Sequence, residues 1–421
     1  MVFWMIFVLL FQDFITKVTE IEYFNYIDEL FILFLFIFLI FKRKIKISYD
    51  TVKLFIMTSI FWSIGIIYCI IFSNYSLFSL LMSSFLAIKF FLTVIAVTVL
   101  RPDDKLIFDI IVSLKVIGLF SFITGIFNLI FPNVWVTLIP YTWISWRMGF
   151  PSVMGLFIHP GQFGWFMLFV ATLYYSEYKT TKEKNKLIVF IAYSLIAVMS
   201  MRMKVIVGVG CIILAEWFIV EKKKVTVKKL VGPILGSSLL LLSMGDYIYY
   251  NISKYILGTS SEISARYMLL RQSIQILMDY FPFGVGFGKF GSWYARINYS
   301  EYYYLYNCNN IYGLRPDDPR YATDTFWPAI FGETGILGTI IYISFLVFIA
   351  HKQLKTVQND KMNKFHRWIA LFGFLALIQS VIESLAEPAF NSAPQNIFLG
   401  FIVGLGLCMG SRNRTEKCKS I

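Results

Sequence analysis

The side chains able to do chemistry in this sequence are few, and most of them are arginines. One long polar stretch, residues 245–324, carries Arg266, Arg271, Arg296, Arg315 and Arg320 together with fourteen tyrosines. Upstream stand Arg147, His159 and the tetrapeptide Met201-Arg202-Met203-Lys204. Downstream stand Asp324, Glu333, Glu383 and Glu387. A guanidinium is a planar fork that grips phosphate or carboxylate oxygens through two hydrogen bonds, whereas an ammonium is a point charge. Arginines gathered this way suit an anionic, phosphate-bearing ligand, or else pair with the acids around them. His159 reads either as a proton carrier or phosphate donor, or as a lone imidazole bonded to a neighbouring helix. Glu333 falls inside an apolar run, where a carboxylate is a functional candidate by default. Glu383 and Glu387, one helical turn apart, either share a proton or pair with a base. Lys89, midway along another apolar run, is the base to test, and such a pair is equally a structural ion pair.

The rest of the chain reads as the frame that must hold these groups. Of 421 residues, 58% are hydrophobic and only 15% are charged, more apolar side chain than a soluble domain of this length can hide. Apolar runs of about 15–25 residues recur between short charged gaps, as expected of helices crossing a hydrocarbon layer. Twelve spans are predicted, at roughly 1–16, 28–41, 52–72, 78–100, 106–131, 154–176, 187–201, 205–220, 230–245, 326–350, 368–386 and 397–410. The expected architecture is an all-α polytopic membrane protein, one integral domain over 1–421. Its one large external loop, 245–325, lies between the ninth and tenth spans.

Charge fixes the expected orientation. With both termini inside, the inner segments hold 24 of the 38 Lys and Arg, the outer segments 11, and Lys53, Lys89 and Lys115 fall within spans. Lys outnumbers Arg inside by 19 to 5, and Arg outnumbers Lys outside by 7 to 4. Anchoring needs only positive charge, so the external arginines point to something more specific, or to chance and local pairing. The net charge of +13 implies no nucleic acid, because the lysines sit in short loops between apolar runs. Cys69, Cys211, Cys308, Cys408 and Cys418 are scattered without a CxxC, so neither a disulfide framework nor a zinc site is expected. The N-terminal run has neither a basic n-region nor a small-residue cleavage site, and is read as a retained span.

Local patterns sharpen the picture. The hairpin 187–220 has 15 residues before Arg202 and 16 after Lys204, short of the about 20 that each full span needs. Its turn should therefore sit below the outer surface, with the cations facing a wet cavity or snorkelling to the headgroups. Pro160 with glycines on both sides permits a broken helix start. Residues 262–279 have helical character, with Ile263, Leu270, Ile274 and Leu277 on one stripe and Ser260 or Ser261 as cap. Arg266 and Arg271, five apart, point about 140° from each other, so both cannot line one pocket unless the helix breaks. Arg266 also shares a face with Glu262. The run Pro282-Phe283-Gly284-Val285-Gly286-Phe287-Gly288 is not placed as a dinucleotide loop and reads as a tight re-entrant turn with exposed backbone N–H groups. Tyr299 to Tyr312 either stack on sugar rings or form an interfacial belt.

The order of these features resembles the O-antigen polymerase and ligase superfamily: a short hairpin with Ser200-Met201-Arg202, a large external loop with an arginine-bearing helix, the Pro282–Gly288 run, then Glu333-Thr334-Gly335-Ile336-Leu337-Gly338. The resemblance covers about 140–345. It implies a GT-C-like membrane glycosyltransferase that uses undecaprenyl-diphosphate-linked oligosaccharides. The implied setting is the periplasmic face of a bacterial inner membrane, with both termini cytoplasmic. By position, Arg202 matches the hairpin arginine and Arg266 the loop-helix arginine that contacts the diphosphate. Asp324 stands nine residues before Glu333, where the ligase branch has a histidine. That departure, with His159-Pro160 after Arg147, favours a Wzy-type polymerase.

The resemblance thus implies Arg202, Arg266 and Asp324 as catalytic residues, with Arg147, His159, Arg271 and Glu333 binding substrate and no cofactor or metal. Implied partners are the lipid-linked oligosaccharide, the bilayer and a chain-length regulator protein. In the expected reaction an acceptor hydroxyl attacks the anomeric carbon, fixed arginines stabilise the departing diphosphate, and Asp324 orients or deprotonates the hydroxyl. Alternatives are a ligase acting on lipid A-core, a lipid-linked-sugar flippase, and a glycosyltransferase relying on Asp13, Glu20, Glu22, Asp28 and Glu29 in the first external loop.

Overall fold

A computed structural model describes residues 2–42, 47–72, 76–147, 149–221 and 264–417, with the single positions 253 and 258. The ninth expected span, 230–245, lies outside these residues, as do Ser260, Ser261, Glu262 and Ile263. Helices dominate. In chain order they are α1 (Val2–Leu10), α2 (Gln12–Thr19), α3 (Ile27–Phe41), α4 (Tyr49–Phe72), α5 (Leu77–Leu100), α6 (Asp104–Ile130), α7 (Pro132–Leu138), α8 (Pro160–Thr181), α9 (Lys184–Val198) and α10 (Met203–Ala215). They continue as α11 (Ala265–Asp279), α12 (Trp293–Ile297), α13 (Glu301–Leu305), α14 (Trp327–Val357), α15 (Lys364–Glu383) and α16 (Gln395–Lys417). A two-residue hairpin, Trp146–Arg147 with Phe150–Pro151, pairs antiparallel beside them.

Seven of the described helices are long and apolar enough to cross a membrane, and an eighth span results if the pair α1 and α2, bent by 72°, counts as one. Many of their large apolar side chains face outward, as on Leu33, Phe34, Ile123 and Ile340, which suits lipid and not water. The structure is thus all-α with the helices of a membrane protein, and α9 and the apolar part of α16 are shorter than a full crossing.

Two helices form the centre. α8 and α15 are apolar nearly all round, which is the pattern of a buried helix. Trp165 and Phe169 of α8 pack on Phe398 of α16, and Phe169 also on Phe372 of α15. Gln379 of α15 donates to the Trp165 carbonyl at 3.1 Å, pinning the pair. The turn of the short hairpin reaches this centre because Gly164 has no side chain: a Cβ there would overlap Ser200 and Val205. Met201, with φ +52, reverses the chain between α9 and α10.

The long polar loop has a small core of its own. Met268, Leu269 and Ile276 of α11 pack with Val285, Phe290, Tyr303, Leu314 and Ala322. This corrects the expected stripe, since Leu270 and Ile274 lie on the exposed side of α11 and Ser264 is the cap, accepting from the Tyr267 N–H. Tyr302 and Tyr303 are buried in this core, and Tyr299 and Tyr306 bond Leu314 and Asp279. Tyr299 and Tyr306 are partly buried, whereas Tyr304 and Tyr312 are exposed. The loop is fixed to the helices at Phe287, which packs over Gly65 of α4 and against Phe61.

Candidate functional site

Three turns meet where the long polar loop lies over the helix ends. The first precedes α8. His159 is its N-cap, in extended backbone, and Pro160 follows at the first helical position, where a missing N–H costs nothing. The Gly161 N–H donates to His159 Nδ1 at 3.0 Å, so a neutral ring carries its proton on Nε2. That Nε2 lies 3.4 Å from Arg202 Nη2, the residue capping α10. A guanidinium only donates. With that tautomer both groups donate, so an anionic oxygen beside them is an acceptor the two could share.

The same turns add more positive charge. Arg147, on the two-residue hairpin, donates from Nη1 to the Met201 carbonyl at 3.4 Å. Lys204 reaches in beside His159 and pairs with Glu387 Oε1, which also accepts from Gln395 Nε2. His159 is exposed on one side, yet its pKa is lowered to about 4. The main cause is burial by the surrounding protein, followed by the charges of Arg202 and Lys204. Burial would raise the Glu387 pKa, but Lys204, Gln395 and His159 outweigh it and hold the carboxyl below its ordinary value.

The third turn brings Asp324 and Arg266 together. Asp324 Oδ2 accepts from Arg266 Nη2 at 3.1 Å and from Nε at 3.3 Å. Two bonds place the α14 end of this pair over the end of α15: Phe326 N–H to the Ser384 carbonyl at 3.3 Å, and Trp327 Nε1 to Ser384 Oγ at 2.9 Å. Asp324 is therefore close enough to feel the Glu387 charge. Burial raises its pKa, Arg266 opposes that rise, and Glu387 adds to it. Arg147, His159, Arg202, Lys204 and Glu387 thus form one group, with Arg266 and Asp324 at its edge.

Two expected site residues fall elsewhere. Arg271 is exposed on α11, turned away from Arg266 as the five-residue spacing requires. Glu333 is buried and its Oε1 accepts from Lys289 N at 2.9 Å, Phe290 N at 3.1 Å and Ser292 Oγ at 2.6 Å. The Val285 and Gly286 N–H groups donate to the Gly332 and Glu333 carbonyls. The glycine run is thus a re-entrant turn, as its sequence suggests, but these N–H groups are spent on α14, which breaks at Gly335 (φ 58°, ψ −159°) to receive it. Glu333 holds a turn and does not face the basic group.

One ion pair also differs from expectation. Lys89 binds Asp28 and Glu29, each at 2.9 Å, leaving Glu387 to Lys204. Arg266 pairs with Asp324, and Glu262, with which it shares a helix face in the sequence, lies outside the described residues. Lys204 is the residue that reading the sequence undervalued. Its signal was present, because in a turn below the outer surface the second cation needs a partner as much as the first. The remaining loop arginines act locally: Arg296 lies over Trp293, and Arg320 bonds Asp318 at 2.7 Å. No protein-family model matches the chain, and no curated protein matches it.

Proposed function

We propose that this protein is a metal-independent glycosyltransferase of the membrane surface. It extends a glycan carried on undecaprenyl diphosphate, in the manner of an O-antigen or capsule polymerase. The observation that carries this reading is the cluster that brings His159 Nε2 to 3.4 Å from Arg202 Nη2, with Arg147 and Lys204 on the same turns and Glu387 the acid paired there among the described residues. A diphosphate oxygen between His159 and Arg202 would satisfy both. Its charge grows as the glycosidic bond to it breaks, so donors fixed in advance bind the transition state more tightly than the ground state. Arg266, a third exposed beside Asp324, can swing toward the same diphosphate. Asp324 is then released, its raised pKa suiting a base that takes the proton of the attacking hydroxyl.

The proposal includes twelve spans, both termini cytoplasmic and this site on the periplasmic side of a bacterial inner membrane. A chain-length regulator is the expected protein partner. The test is the purified full chain in nanodiscs with a defined undecaprenyl-diphosphate oligosaccharide and excess chelator. A ladder of longer lipid-linked glycans is the expected product. Transfer only to a lipid A-core acceptor, or no transfer at all, would overturn the polymerase reading.

A further inference from the structure

A second polar group lies deeper, among α2, α3, α5 and α16, and the transfer reaction proposed above makes no use of it. Lys89 is buried with two carboxylates on its ammonium, Asp28 and Glu29, each at 2.9 Å. The Gln12 and Glu29 side chains both lie against Asp28. Three oxygens of this group, Gln12 Oε1, Asp28 Oδ1 and Glu29 Oε2, are buried and accept no hydrogen bond from the described residues. Asn396 of α16 is fully buried, and neither polar atom of its amide has a partner among the described residues. Gly400 packs on Thr93 and Gly404 on Val97, so Asn396, one turn earlier on the same face, comes level with Lys89.

Two anomalies coincide here. Buried polar atoms in native proteins are almost always partnered, and this small region leaves five without a partner among the described residues. Two carboxylates around one ammonium also leave one negative charge to be balanced, by a further cation or by a proton, inside a helical bundle where an unbalanced charge is costly. Most of the five atoms are oxygens of carboxylate and amide type, the donors that hard cations take. One positive charge answers both the missing partners and the charge balance.

We infer that Gln12, Asp28, Glu29 and Asn396 bind a monovalent alkali cation, with sodium as the probe of choice. Such an ion ties the bent N-terminal pair to α5 and α16. It also bears on the basic site, because Asp13, next to Gln12, accepts from Gln162 at 2.7 Å, three residues beyond His159. The inference does not depend on glycosyl transfer, and its test needs none.

The purified full chain would be melted in detergent at fixed ionic strength while sodium chloride replaces choline chloride. A saturable rise in Tm with sodium is expected. Asn396→Ala and Gln12→Ala should each raise the half-saturating sodium concentration by about tenfold or more, as loss of a supporting ligand typically does. Both should melt near the parent chain in choline. Glu29→Gln, which removes the surplus charge and keeps the shape, should hold its Tm in choline and lose the sodium response. Identical melting in sodium and choline, or a Tm that follows pH alone, would overturn the inference, the latter in favour of a bound proton.

Discussion

Two basic centres lie side by side at the helix ends, and they are balanced in opposite ways. Arg266 has its own acid, and both members of the pair are about a third exposed, at 31% and 32%. An ion pair so open to water contributes about 0.2–1 kcal/mol, little enough for a phosphate to displace. The hairpin centre gathers Arg147, His159, Arg202 and Lys204 around Glu387, which is already taken by Lys204. Among the described residues its cations outnumber its acid. On the proposed reading, the first centre is a guanidinium restrained until an anion draws it away, and the second is the receptor for that anion.

The sharpest way to break this comparison is to remove the surplus. Arg202→Ala should lower chain extension by about 10²–10³-fold, the usual loss of a fixed donor to a developing oxyanion, while the protein still inserts and melts as a folded species. Arg202→Lys should recover little, because a point charge cannot bond two oxygens at once. Wild-type ladders from Arg202→Ala would sink the assignment of the hairpin centre as diphosphate receptor. The restrained centre answers to Asp324→Asn, which keeps shape and frees Arg266. If Asp324 takes the hydroxyl proton, the chemical step should slow by about 10²-fold with KM little changed. Unchanged turnover would reduce Asp324 to a restraint on Arg266.

How much of this was legible in the sequence depended on whether neighbours in space were also neighbours in the chain. The short hairpin, the break at Pro160, the loop helix and the re-entrant glycine turn are local features, and all four are present. The partners of charges were not legible. Nothing in the order of the chain says that α3 lies beside α5, so Lys89 could not be assigned to Asp28, and Glu387 was left open to the wrong base. The stripe on α11 misled for a different reason. Leu270, Ile274 and Met278 are exposed, and next to a bilayer an outward apolar face costs far less than it would in water. Glu333 reads as a substrate-binding carboxylate because it falls in an apolar run, and its partners are the turn's own N–H groups and the Ser292 hydroxyl.

That last point gives the third prediction. Glu333→Gln replaces one acceptor of three hydrogen bonds with a weaker one and adds a donor that the turn does not need. Bonds to a charged group are worth about 1.5–3 kcal/mol each in favourable cases, so a clear drop in Tm is expected. The loss of activity should be smaller than for Arg202→Ala and recoverable by lowering the assay temperature. An effect on turnover with no change in Tm would place Glu333 back among the reacting groups. Arg271→Ala, exposed and turned away, should extend chains within about twofold of the parent.

The smallest effect reads the surplus directly. His159 is lowered to about 4, by burial first and then by Arg202 and Lys204, so the imidazole is neutral at pH 6 and above. Its depressed pKa means that the folded chain resists protonation there, and the solvent on the open side of the ring moderates that resistance. An anion seated between His159 and Arg202 adds an opposite charge, which favours the protonated ring, so pyrophosphate should move the midpoint up toward the ordinary 6.5. By linkage, pyrophosphate must then bind more tightly as pH falls through that interval. The measurement is the imidazole chemical shift of labelled histidine from pH 3.5 to 8, with and without pyrophosphate, using His159→Gln to assign the signal. In Arg202→Gln the starting midpoint should lie higher, since one repelling charge is gone, and the response to pyrophosphate should shrink. In Arg266→Gln both should stay near the parent values, because that guanidinium is already answered by Asp324. Equal behaviour of the two variants would mean that the two centres are one, and that Asp324 does not restrain its arginine.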